Sequence, residues 1–140
     1  MKIKGYASRT SVDRVGHVVA AYAFKDSIAA RGLTGSRGVK LLYGHNSDKI
    51  LGSIAKLTHL PNGLWIEAEI DKSISYAADV AKAIAASGGL SFSVSFIPSE
   101  VDLVSDKNGD EYLKIVKGDL YEVSVVPFPC NEDCEMSYEN

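Results

Sequence analysis

Cysteine is scarce in this chain, with only Cys130 and Cys134 among 140 residues. Two thiols at C-x3-C spacing fall short of the four ligands of a structural zinc site, so both read as free thiols and no metal is expected. Long apolar runs are absent as well. Nothing approaches the ~20 residues that a helix needs to cross a bilayer. The opening Met1-Lys2-Ile3-Lys4 alternates like a strand and lacks the apolar centre of a signal sequence. Basic residues are not concentrated either. Fifteen Lys and Arg stand scattered against eighteen Asp and Glu, for a net charge of -3, which leaves no cationic stripe for nucleic acid. A Gly-rich phosphate loop, a G-x-S-x-G elbow and an H-E-x-x-H helix are all missing. These absences point to an intracellular protein without cofactor, membrane partner or nucleic-acid partner.

What is present describes a folded chain. Hydrophobic residues make up 46% and charged residues 24%, enough apolar surface to offset ordering entropy. The length suits one domain over residues 1–140, with 129–140 read as a flexible tail. Alternation predicts a strand over Lys2–Ser8, and Val18–Ala30 has spacings closer to helical. Val39–Tyr43 reads as a buried strand ending at the turn formers Gly44-His45-Asn46-Ser47-Asp48. Ile50–Leu60 and Leu64–Ile70 form a hairpin about Pro61-Asn62-Gly63, where Asn-Gly would supply positive backbone angles.

Ser73–Ser87 is the clearest helix, with Ile74, Ala77, Ala78, Ala81, Ile84 and Ala85 at steps of three and four before Gly88-Gly89. The period then changes to two. Leu90, Phe92, Val94 and Phe96 point to one side of a strand and Ser91, Ser93 and Ser95 to the other. Val101–Val104 and Tyr112–Val116 flank a turn at Asp106–Asp110, and Leu120–Val126 is the last strand, ended by prolines. The sum is an α+β, mainly β domain, a mostly antiparallel barrel of roughly seven strands with a few helices packed outside.

Nucleophilic chemistry by serine needs a base to take its proton and a third group to orient that base. Of His17, His45 and His59, only His45 directly follows a buried-looking strand and stands among small polar residues, where exposed catalytic groups tend to sit. The three serines of Ser91–Ser95 have an ordinary explanation as the polar face of an antiparallel strand. Glu122 lies in Leu120–Val126, on a face shared with Leu120, Ser124 and Val126.

The segments also occur in a telling order. Gly5-Tyr6-Ala7, Val12-Asp13-Arg14-Val15-Gly16-His17-Val18-Val19, Ala23-Phe24, Leu41-Leu42-Tyr43-Gly44-His45-Asn46 and Ile50-Leu51-Gly52 follow one another. After a helix come Ser93-Val94-Ser95-Phe96 and Leu120-Tyr121-Glu122-Val123-Ser124-Val125-Val126-Pro127. Over most of its length the chain thereby resembles the tailed-phage prohead maturation serine proteases, distant relatives of the herpesvirus assemblins. That resemblance implies a herpesvirus-protease-like fold, with His45 as general base, Ser93 as nucleophile and Glu122 as the third member.

Family register favours Ser93 because Phe96 and Pro98 then fall where relatives carry an aromatic residue and often a proline. Ser91, and after it Ser95, remain alternatives. The chain departs from the family pattern at Ser95, where relatives have glycine, before Ala23, and at Cys130.

The implied function is an endopeptidase acting inside the assembling prohead in a bacterial cytoplasm. It would cut scaffold or the scaffold-like segment of the major capsid protein, and itself, without a metal or cofactor; a homo-oligomeric state is also implied. Two rivals belong to other classes. One is a degenerate barrel with a structural or scaffold-binding role, suggested by Ser95. The other is metal-dependent hydrolysis through His17, His45 and His59.

Overall fold

The computed structural model describes residues 1–140 as nine strands and two helices. They are β1 Lys2–Arg9, β2 His17–Val19, α1 Lys25–Arg31, β3 Lys40–Tyr43, β4 Asn46–Ile50, β5 Gly52–Leu60, β6 Gly63–Ile70, α2 Ser75–Ser87, β7 Ser91–Ser105, β8 Glu111–Val126 and β9 Met136–Glu139. One four-stranded sheet has the order β5-β6-β1-β9. The second runs β2-β8-β3-β4, with β7 also paired to β8. The mainly antiparallel α+β class matches the reading of the sequence, with the strands shared between two sheets.

The sheets meet at two corners. Only Leu51 separates β4 from β5, and its N–H donates to the Leu41 carbonyl at 2.9 Å. At the other corner Ser91 bridges to Glu135, just before β9. Between the sheets lies one core that includes Ile3, Leu41, Ile66, Ile70, Ile84, Phe92, Leu120, Val123 and Val125. Helix α2 contributes Ala77, Ala81 and Ile84 to it, the residues that its apolar periodicity brings to one face.

Three local readings change in the structure. The helix expected from Val18 is confined to α1, because β-branched Val18 and Val19 instead join β2 and pair in parallel with Lys114 and Ile115 of β8. In the β5–β6 hairpin the loop residues are Pro61 and Asn62, with Leu60 opposite Gly63. The positive φ falls on Gly63, at 146°, where a Cβ would lie 2.0 Å from the Ser8 carbonyl oxygen. Beyond residue 129, β9 pairs antiparallel with β1, and Cys134 is buried, so the acidic tail contributes an edge strand.

The strand pieces around Asp106–Asp110 join into one long hairpin. In it β7 and β8 pair from Ser91↔Val126 to Ser105↔Glu111, with register shifts after Ser95, Pro98 and Glu100. This hairpin and the β3–β4 turn position the candidate site.

Candidate active site

Strand β3 runs parallel to β8, with Lys40 opposite Glu122 and Tyr43 opposite Val125. The Gly44 N–H donates to the Val125 carbonyl at 3.0 Å, and the chain then reverses, since Tyr43 pairs with Asn46. Gly44 and His45 are the two residues of that reversal, with φ of 60° and 59°. Positive φ at both central residues is the signature of a type I′ turn, whose twist suits antiparallel strands. Glycine adopts this backbone freely. For a residue with a Cβ it costs about 1–2 kcal/mol, so His45 is held in its place by the surrounding contacts.

Those contacts all come from β8 and β7. The His45 N–H donates to the Ser124 hydroxyl at 2.9 Å. The imidazole Nδ1 meets Glu122 Oε1 in a direct, short contact. The other carboxylate oxygen, Oε2, accepts a hydrogen bond from the Ser124 hydroxyl at 2.6 Å. Glu122 and Ser124 are both buried, whereas the His45 side chain retains 39% of its exposure. A buried carboxylate thus backs a ring that still reaches solvent, the arrangement an orienting acid and a working base require.

Across the β7–β8 ladder Ser95 stands opposite Glu122, Ser93 opposite Ser124 and Ser91 opposite Val126. All three serines lie on the Glu122 face, as alternation requires. The hydroxyl against the ring is that of Ser95, 2.9 Å from Nδ1. Ser93 lies one pair further along and takes no part in the hydrogen bonds that join His45, Glu122, Ser95 and Ser124. It does line a cavity of about 140 Å³ together with Asp13, His17, Phe92, Phe96 and Cys130, which His45, Glu122 and Ser95 do not border. Larger hollows of about 450 to 600 Å³ lie elsewhere and include neither His45 nor a β7 serine. The His45–Glu122 contact, and not hollow size, therefore marks the site.

The electrostatics follow from this geometry. Hydrogen bonding to Glu122 holds the His45 imidazole above its ordinary pKa, against the opposing effect of desolvation. For Glu122 burial acts to raise the pKa, but hydrogen bonds from His45, Ser124 and Ser95 outweigh it and hold the carboxyl below its ordinary range. The two shifts agree on a carboxylate that favours the protonated ring.

His17 and His59 are not part of this cluster. His17 opens β2, and His59 in β5 lies beside Tyr22, with ring centroids 6.4 Å apart. No three His, Cys, Asp or Glu side chains converge in a way that could hold a metal ion. No helix is long and apolar enough to cross a membrane. One polar group at the site is not singled out by the sequence, Ser124 as a bridge, and the serine against the ring is Ser95, the last of the three alternatives. The signal for Ser124 was its i+2 spacing from Glu122 on one strand face.

The architecture is that of the herpesvirus proteases. The KSHV protease, solved in complex with a hexapeptide phosphonate inhibitor, superposes with a TM-score of 0.57 at 12% identity, over 99% of this chain and 64% of that one. The varicella-zoster virus protease gives a TM-score of 0.56 at 11% identity, over 99% of this chain and 63% of that one. The model of the caudovirus prohead serine protease family matches residues 1–140, and the chain belongs to that family. It is 35% identical over 137 residues to the prohead protease of Escherichia phage T5, covering 95% of this chain and 60% of that protein. The chain thus spans about three fifths of the length of this curated relative.

Proposed function

We propose that this protein is a serine endopeptidase of prohead maturation, with His45 as general base, Glu122 as its orienting acid and Ser93 as nucleophile. The observation that carries this reading is the buried Glu122 carboxylate against Nδ1 of a partly exposed His45, on the face that presents the β7 serines. A carboxylate at Nδ1 keeps the proton of the neutral ring on that nitrogen, so the lone pair available to a nucleophile is on Nε2. Ser95 shares the Nδ1 side with Glu122 and is suited to hydrogen-bonding the carboxylate. Ser93, next on the same face, is the serine left to meet a substrate carbonyl.

In the reaction Ser93 Oγ attacks the scissile carbonyl carbon while its proton passes to His45 Nε2. Collapse of the tetrahedral adduct breaks the C–N bond, and the imidazolium returns that proton to the leaving amine. Water then attacks the acyl ester with the same ring as base, which releases the acid product and restores the Ser93 hydroxyl. Glu122 stabilises the imidazolium formed in each half-reaction.

Family membership supports capsid and scaffold proteins as substrates and the assembling prohead, in the host cytoplasm, as the place of action. Self-cleavage and a homo-oligomeric state belong to the same reading. The test is co-expression of Ser93→Ala and His45→Ala with the phage's capsid protein. Capsid processing should stop in both variants, and processing that continues unchanged in both would sink the assignment in favour of an inert, scaffold-binding barrel.

A further inference from the structure

We propose that Ser124 is a positioning residue, a hydroxyl bridge that fixes both the backbone of the base and the carboxylate that orients it. This inference rests on the His45–Glu122 reading above and adds a third group to it. The Ser124 side chain has no solvent exposure, and its oxygen is used in both directions. It accepts the His45 N–H at 2.9 Å and donates its own proton to Glu122 Oε2 at 2.6 Å. One hydroxyl thereby closes a ring of contacts from the His45 backbone through Ser124 and Glu122 to the His45 imidazole.

The arrangement answers a specific mechanical need. His45 occupies a left-handed backbone position in a two-residue turn, and neither Gly44 nor His45 belongs to the hydrophobic core. A donor–acceptor residue beneath the turn supplies what packing does not. With Oε2 held by Ser124, Glu122 presents Oε1 to the ring, so the carboxylate has one orientation. Threonine retains both hydrogen bonds, cysteine keeps the volume with much weaker ones, and alanine keeps neither.

The experiment compares Ser124→Ala, Ser124→Thr and Ser124→Cys in the full chain, with Glu122→Gln and His45→Ala as references. One readout is the rate of covalent labelling of the nucleophilic serine by a fluorophosphonate probe. The other is the NMR titration of the His45 imidazole, which does not require activity. Ser124→Ala should slow labelling about 10- to 100-fold, the scale of a misplaced reacting group. Its His45 midpoint should fall toward the ordinary ~6.5, as in Glu122→Gln, and Ser124→Thr should restore both to within a few-fold of the parent.

A Ser124→Ala protein with parental labelling and parental His45 titration overturns the proposal, even if it melts at a lower temperature. Should that variant fail to fold, the near-isosteric Ser124→Cys gives the same two readouts and is judged in the same way. Parental labelling in His45→Ala would instead overturn the catalytic reading itself. Loss in His45→Ala with no change in Ser124→Ala or Ser124→Cys removes only the bridge.

Discussion

Strand β7 is enclosed between Ser91 and Phe96 and stands in solvent between Val101 and Ser105. In the first stretch Phe92 is fully buried, and the facing β8 residues Leu120, Val123 and Val125 are buried too. In the second, Val101 is 47% exposed and Leu103 68% exposed. The same two strands form both halves, so local propensity cannot account for the difference. What differs is the cover: β3 and the His45 turn flank β8 beside the serines, while β2 alone flanks it near Leu113. A two-stranded ribbon alone is marginally stable in water. The register shifts after Pro98 and Glu100 lie where the two regimes meet, the kind of place where bulges bend a strand and re-aim side chains.

The largest way to break this contrast is at the enclosed end. His45→Ala and Ser93→Ala should each lower cleavage by about 10⁴-fold or more, read as accumulation of uncut capsid protein. Glu122→Gln comes next, with a loss on the order of 10²- to 10⁴-fold in kcat, because the ring loses its oriented tautomer.

The pH dependence sharpens the same point. The base must be neutral, and its pKa is raised, so the rate should rise with pH along a limb above the ordinary ~6.5 of histidine. Glu122→Gln should move that limb down. Stability runs the opposite way: a raised histidine pKa contributes fully below the unfolded-state value and is lost as pH rises through the folded one. Activity profiles and thermal melts over one pH series should therefore slope in opposite directions across that window.

Packing gives the next effect. Phe92→Ala should destabilise the fold by about 3–5 kcal/mol in denaturant titrations. Ser95→Ala should leave labelling within about tenfold of the parent, the size of a single supporting hydrogen bond. A Ser95→Ala variant as inactive as His45→Ala, with Ser93→Ala active, would transfer the nucleophile to Ser95. Smallest of all, Leu103→Lys at the exposed end should shift stability by no more than about 0.5 kcal/mol.

Sequence reasoning succeeded where one period dominates. The α2 helix and the alternating face of Ser91, Ser93 and Ser95 needed only the spacing of apolar residues, and His45 stood out because a turn followed a buried strand. It failed where partners distant in sequence decide. Val18 and Val19 are β-branched, but a strand of three residues becomes legible only with β8 beside it, and β9 exists because β1 offers an edge to pair with. The site shows the same division. His45 and Glu122 were legible as candidates, but which serine faces Nδ1 depends on the β7–β8 register, set by bulges that no spacing rule reveals.

The left-handed backbone at His45 also sets chemistry against folding within a single residue. Glycine or asparagine suits the second position of a type I′ turn better than histidine does. His45→Gly should thus relieve the backbone cost of the turn, at the loss of the Glu122 contact, while cutting nothing. A chain no longer selected for cleavage would be free to relieve that backbone, and asparagine or glycine at this turn would be the mark of a lost base.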